Sequence, residues 1–105
     1  MRILGIIPAR GGSKGVPGKN IKLLAGKPLL QYTVEIAQAS KQLSRLILSS
    51  DDTAIIEVAN TLNLEVPFVR PQNLAQDASP TLPVIQHALQ FFISKGIYFD
   101  AVCLL

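Results

Sequence analysis

The sequence predicts an α/β fold, a three-layer αβα arrangement with a mostly parallel sheet, formed as one domain over residues 1–105. Short apolar runs of strand length alternate with segments of helical period in the order βαβαβαβ, the pattern of a parallel sheet covered by helices on both faces. The first strand is followed at once by a glycine-rich segment carrying several cations, where such folds commonly place a ligand. Apolar residues make up 49% of the chain and charged ones only 16%, so much of it must be buried from more than one side.

The elements follow in order. Residues Arg2 to Ala9 hold the near-continuous apolar run Ile3 to Ile7, read as a first strand buried on both faces. Arg10 to Lys27 contains Gly11, Gly12, Gly15, Pro17, Gly18 and Gly26, too many helix breakers for a regular element, and reads as a long shaped loop. From Pro28, suited to a first helical position, Leu29, Leu30, Thr33, Val34, Ile36 and Ala37 recur at helical spacing up to Ser40. Arg45 to Ser49 is a second strand. Asp51 or Asp52 then caps a helix through Ile55, Ile56, Val58, Ala59 and Leu62, which Asn63 closes in a left-handed conformation. Glu65 to Arg70 is expected as a short third strand, at an edge because Pro67 cannot donate to a ladder. After a polar loop, Thr81 to Lys95 forms a helix with Pro83 in its first turn and Gly96 beyond its end. Ala101 to Leu105 is a fourth, apolar strand. A strand order 3-2-1-4 puts the topological switch point between strands one and four, so the loop after strand one opens into the cleft.

Composition excludes several classes. At 105 residues one modest core is available, and a two-domain enzyme is not. Met1 and Arg2 lead into an apolar run too short for a signal peptide, and no run approaches the ~20 residues of a membrane helix, so a soluble, cytoplasmic protein is expected. Cys103 is the only cysteine, which rules out an internal disulfide; flanked by Val102 and Leu104, it is expected as a buried small hydrophobe. The net charge of +3 comes partly from Arg10, Lys14, Lys19 and Lys22, crowded into one short segment, which favours a small anionic ligand. With six aromatic residues and no long basic stripe, a nucleic-acid surface is not expected.

The segment Ile7 to Asn20 combines exposed amides, glycines and cations directly after a buried strand. Glycines let main-chain N–H groups approach phosphate oxygens, while Arg and Lys neutralise charge that develops during phosphoryl displacement. Two familiar phosphate loops do not fit. Five residues before Gly18 stands Ser13 instead of Gly, and Lys19 is followed by Asn20 instead of Ser or Thr, so the P-loop pattern fails. Nor do Gly11, Gly12, Gly15 and Gly18 fall at the dinucleotide-binding spacing.

The stretch IPARGGSKGVPGKNIKLLAGKPL resembles the opening of the cytidylyltransferases that activate sialic acids and related nine-carbon sugar acids. The similarity continues through Leu48-Ser49-Ser50-Asp51-Asp52, Val66-Pro67-Phe68-Val69-Arg70-Pro71, Leu74-Ala75-Gln76-Asp77 and His87-Ala88-Leu89, essentially the whole chain. Relatives acting on the eight-carbon acid Kdo usually continue Pro-Gly-Lys with Pro-Leu; here Asn20-Ile21 follows, which favours the sialic acid branch. The resemblance implies a Rossmann-like fold of the nucleotide-diphospho-sugar transferase type and Mg²⁺-assisted transfer of CMP from CTP to the sugar acid. The sugar's anomeric hydroxyl attacks the α-phosphorus and pyrophosphate leaves, so positioning and charge stabilisation do most of the work. By similarity, Arg10 and Lys19 contact the triphosphate as the catalytic pair, Ser13 and Lys14 shape the loop, and Asn20 reaches ribose or phosphate. Pro8 and Ala9, at the strand end, belong to the same substrate-binding set. Arg70 with Ala78 and Ser79 would read the cytosine, and Thr81 would lie near the ribose. Plainer roles are a solvated strand-end arginine for Arg70 and a helix N-cap for Ser79 or Thr81.

Asp51 and Asp52 could be taken for metal ligands, but a position before a helix makes capping the expected role, and no metal site is assigned. His87, mid-helix with no acid or nucleophile partner at a telling spacing, is expected to be structural or half-exposed. Members of the family are longer and continue past the fourth strand with Gln-Pro-Thr-Ser-Pro, the sugar-binding and dimerising part and the metal-binding aspartates. The chain is therefore expected to be the N-terminal nucleotide-binding half, truncated after the fourth strand and inactive alone, with CTP or CMP and a nonulosonic acid as partners. A non-catalytic nucleotide-binding module, or a fragment that self-associates as a homodimer through its exposed fourth strand, are the other readings. Sialic, legionaminic and pseudaminic acid all remain open as substrates.

Overall fold

A computed structural model describes residues 1–9, 23–24, 27–71 and 81–105. The elements are β1 (Ile3–Pro8), β2 (Leu23–Leu24), β3 (Lys27–Pro28), α1 (Leu29–Gln38), β4 (Arg45–Ser49), α2 (Thr53–Thr61), α3 (Thr81–Ile93) and β5 (Ala101–Leu104). The main sheet has the order β4-β1-β5, both pairs parallel, with Ile6 opposite Ile47 on one side and Leu104 on the other. This is the expected strand order for its second, first and fourth members.

The run Ile3 to Ile7 is apolar on both faces because the sheet is covered on both. Leu4 and Ile6 of β1 and Ile47 of β4 join Ala88 and Phe92 of α3 in one buried cluster. Ile7, Ala9 and Leu48 point the other way and pack with Leu30 and Val34 of α1 and with Ile55 and Ala59 of α2. Side chains alternate between faces along a strand, so two cores form around one sheet. Gly5 falls on the second face, where a Cβ would sit 2.9 Å from Leu43 Cδ1 and 3.0 Å from Leu46 Cδ1, so a side chain there would require these leucine ends to shift.

The helix boundaries follow local chemistry. Asp52 is the N-cap of α2, its carboxylate accepting from Ala54 N (2.8 Å) and Ile55 N (3.4 Å), an arrangement worth about 1 kcal/mol. Asn63 has φ 58° and Gly96 φ 77°, so both helices that needed a left-handed residue to end have one. At the amino ends of the strands, Ser44 N donates to Ile3 O (2.8 Å) and Arg2 N to Asp100 Oδ2 (2.7 Å), tying the crossovers to β1.

Three expectations are corrected. Glu65 to Arg70 is not a regular strand. Only a bridge pairs Glu65 with Ile47, and the next contact has Arg70 N donating to Ser50 O at 2.8 Å. Five steps on one chain thus match three on the other, and Pro67, lacking an N–H, lies where the chain bows out. Its start is pinned instead by a two-pronged ion pair, Arg45 Nε to Glu65 Oε1 (2.8 Å) and Nη2 to Oε2 (2.6 Å), which raises the Arg45 pKa. Next, the segment expected as loop up to Lys27 contains regular structure, a short antiparallel pair of Leu23–Leu24 with Lys27–Pro28 leading into α1. Finally, Cys103 is half-buried instead of buried, because β5 lies at the edge of the sheet.

Candidate functional site

The carboxyl ends of β1 and β4 lie side by side, with Pro8 opposite Ser49, and they gather the polar groups of the core. Ser49 and Ser50 are both fully buried, and Arg70 is only 4% exposed. A buried cation is costly unless its donors are matched. Arg70 meets this by donating from Nε to Ser49 Oγ at 3.0 Å and from Nη2 to Ser49 O at 2.6 Å. The plainer expectation of a solvated strand-end arginine is therefore overturned: the bowed 65–70 segment turns the side chain inward. Ser49 O also accepts the amide of Ala9 at 3.0 Å, so the last residue before the cation-rich segment and the Arg70 guanidinium share one acceptor.

Of the residues expected to bind substrate, the structure thus brings Pro8, Ala9 and Arg70 together at one end of the sheet. Arg10, Ser13, Lys14, Lys19, Asn20, Ala78 and Ser79 lie outside the described residues, as does the side chain of Thr81, whose backbone begins α3. The motif Leu48 to Asp52 does not single out Ser49; the signal it carries in the sequence is a hydroxyl closing an apolar strand.

His87 of α3 borders this region. Its ring packs edge-on against Phe68 with centroids 4.6 Å apart, and Nδ1 is buried without a hydrogen-bond partner among the described residues. Burial, reinforced by the positive charge of Arg70, pushes the His87 pKa below the usual imidazole value. A histidine held neutral in the folded state takes up its proton more readily when unfolded. Its stabilising contribution is full above about pH 6.5, the ordinary value, and falls as pH drops through that point toward the lower folded value. Thermal melting between pH 7.5 and pH 5 is expected to show a smaller acid-induced loss for His87→Gln than for the parent chain. Equal losses would show that His87 does not contribute.

Asp52 is committed to capping α2, and no group of three or more His, Cys, Asp or Glu among the described residues is placed to hold a metal ion. The described residues therefore provide no carboxylate cluster that would hold Mg²⁺ by itself. No helix among them is long and apolar enough to cross a membrane. What the arrangement offers is a rigid strand-end platform with a fixed guanidinium, suited to orienting a polar or anionic ligand.

Residues 4–93 match a family model described as cytidylyltransferase. The chain is 46% identical over its full length to the pseudaminic acid cytidylyltransferase of Campylobacter jejuni serotype O:2, spanning 45% of that protein. It is 42% identical, over its full length and 45% of the other's, to the CMP-N,N'-diacetyllegionaminic acid synthase of Legionella pneumophila. Against the N-acylneuraminate cytidylyltransferase of Escherichia coli O18:K1:H7, identity is 37% over 87% of this chain and 22% of the other. Among solved structures, a CMP:2-keto-3-deoxy-manno-octonic acid synthetase complexed with CTP superposes with a TM-score of 0.78 at 19% identity, over 99% of this chain and 40% of that one, a likeness of fold.

Proposed function

The chain belongs to the cytidylyltransferase family, and from that premise we propose that it carries the CTP-binding part of an enzyme that makes a CMP-sugar from a nonulosonic acid of the pseudaminic, legionaminic or sialic type. The observation supporting this reading most directly is the buried Arg70, anchored on Ser49 beside the strand end from which the segment bearing Arg10 and Lys19 continues. In the reaction the sugar's anomeric hydroxyl oxygen attacks the α-phosphorus, the bond from that phosphorus to the bridging oxygen breaks, and pyrophosphate departs. Arg10 and Lys19 neutralise the triphosphate and the charge growing on the leaving group. Arg70 contacts the cytosine nucleotide, with Pro8, Ala9, Ser13, Lys14, Asn20, Ala78, Ser79 and Thr81 around it.

The chain spans about 45% of the length of relatives that it matches from end to end. The 105 residues by themselves are therefore proposed to bind nucleotide without turning it over. Titration calorimetry is expected to show CTP bound at least about tenfold more tightly than cytidine, since charge-assisted contacts to phosphate are the strong ones. Pyrophosphate release with any of the three acids and Mg²⁺ is expected to stay at background. Equal affinity for CTP and cytidine would sink the binding site, and sustained Mg²⁺-dependent turnover would sink the inactivity.

One observation favours self-association as well. β5 is an edge strand with no charged residue between Ala101 and Leu104, and Leu104 is 44% exposed. Natural edges are usually blunted by charge, bulges or cover. Antiparallel pairing with a second copy hides both edges under two-fold symmetry. Sedimentation at micromolar concentration is expected to show a dimer that Leu104→Lys dissociates; a monomer at every concentration would count against it.

A further inference from the structure

We propose that Ser49 is a positioning residue for nucleotide recognition: its hydroxyl and carbonyl oxygens hold the Arg70 guanidinium at the carboxyl end of the sheet, on the same carbonyl that accepts the Ala9 amide. The inference rests on the reading that Arg70 contacts the cytosine nucleotide.

Ser49 ends a strand whose preceding residues are Leu46, Ile47 and Leu48, and it is fully buried. A hydroxyl there is costly unless bonded, and it is bonded, to Arg70 Nε at 3.0 Å. A guanidinium is a planar fork of five donors; two of them on one residue, Nε to the hydroxyl and Nη2 to the carbonyl at 2.6 Å, define the plane of the fork. The backbone is held as well, since Arg70 N donates to Ser50 O at 2.8 Å. Side-chain freedom is thus lost before any ligand arrives, and ordering on binding costs correspondingly less. The Ser49 carbonyl also takes the Ala9 amide at 3.0 Å. One residue therefore sets the spacing between the guanidinium and Ala9. An alanine would leave the carbonyl in place and remove only the hydroxyl contact, loosening the orientation of the guanidinium.

Ser49→Ala is expected to lower the affinity for CTP about three- to tenfold, the net size of one ordinary hydrogen bond. Affinity for inorganic tripolyphosphate, which has no base or ribose, should be unchanged, and Ser49→Thr, which keeps the oxygen, should recover CTP binding. In an Arg70→Ala background Ser49→Ala should cause no further loss, because the two residues act as one unit. Should Ser49→Ala fail to fold, Ser49→Cys, with a weakly accepting sulfur of similar shape, is read the same way. If Arg70→Ala weakens CTP binding but Ser49→Ala does not, or does so by an independent factor in the Arg70→Ala background, the positioning role is wrong and the role of Arg70 stands. If Arg70→Ala leaves CTP binding intact, the reading of Arg70 falls and the inference is overturned with it.

Discussion

Replacing Arg10 and Lys19 together by alanine is expected to lower the affinity for CTP by about two to four orders of magnitude, at about 1.5–3 kcal/mol for each hydrogen bond to a charged group. Both belong to the cationic cluster with Lys14 and Lys22, which supplies a large part of the net charge of +3 and directly follows β1. Each expected phosphate contact would pair a cation with an anion, and glycines between the cations would let backbone amides approach the same oxygens. Cytidine, which carries no phosphate, should bind the variant as it binds the parent. The parent's CTP affinity should fall with added salt more steeply than the variant's, since fewer charges remain to be screened. Calorimetry at two ionic strengths checks both points; CTP affinity that survives the double substitution would move the triphosphate away from this segment.

Phe92→Ala is expected to cost about 3–5 kcal/mol, the range for truncating a buried aromatic. Phe92 is 1% exposed and sits at the centre of the core between α3 and the sheet. Its ring meets Phe91 and Phe99 edge-on, each with centroids 5.4 Å apart, and the Arg45 guanidinium lies 4.8 Å from its centroid. Losing it removes the contacts through which α3 and the residues leading into β5 are held to β4. Small domains have only about 5–15 kcal/mol of stability in all, so the variant should melt more than about 10 °C lower or be unfolded at 37 °C. Phe91→Ala, at a half-buried ring, should cost clearly less. Urea unfolding of the two variants side by side gives the comparison, and equal midpoints would show that the core between α3 and the sheet does not depend on Phe92.

Most of the architecture was legible in order and period. Ile3 to Ile7 could be read as a strand buried on both faces because no polar residue interrupts it, and the two core clusters on opposite faces of β1 are the physical counterpart. Asp52, Asn63 and Gly96 mark helix ends because capping and left-handed backbone are local properties of one or two residues. Local rules misled at Glu65 to Arg70, where residues of strand character follow β4 with too many steps for its register. Whether a segment becomes a strand depends on the length and donors of its neighbour, which its own residues do not encode.

The candidate site divides along the same line. By itself the sequence determined the fold class, the position of the cation-rich segment after the first strand, and through its resemblance the cytidylyltransferase family, because glycine, cation and apolar patterns are written in consecutive residues. Only the tertiary structure decided that Arg70 is buried instead of solvated, that burial beside Phe68 lowers the His87 pKa, and that Ser49 joins Arg70 to Ala9. Ser49 and Arg70 stand 21 residues apart in sequence, and Ser49 ends β4 while Ala9 follows the end of β1. A hydrogen bond or a burial state of that kind depends on which surfaces meet when helices close over a sheet, and no periodicity of a single segment carries it.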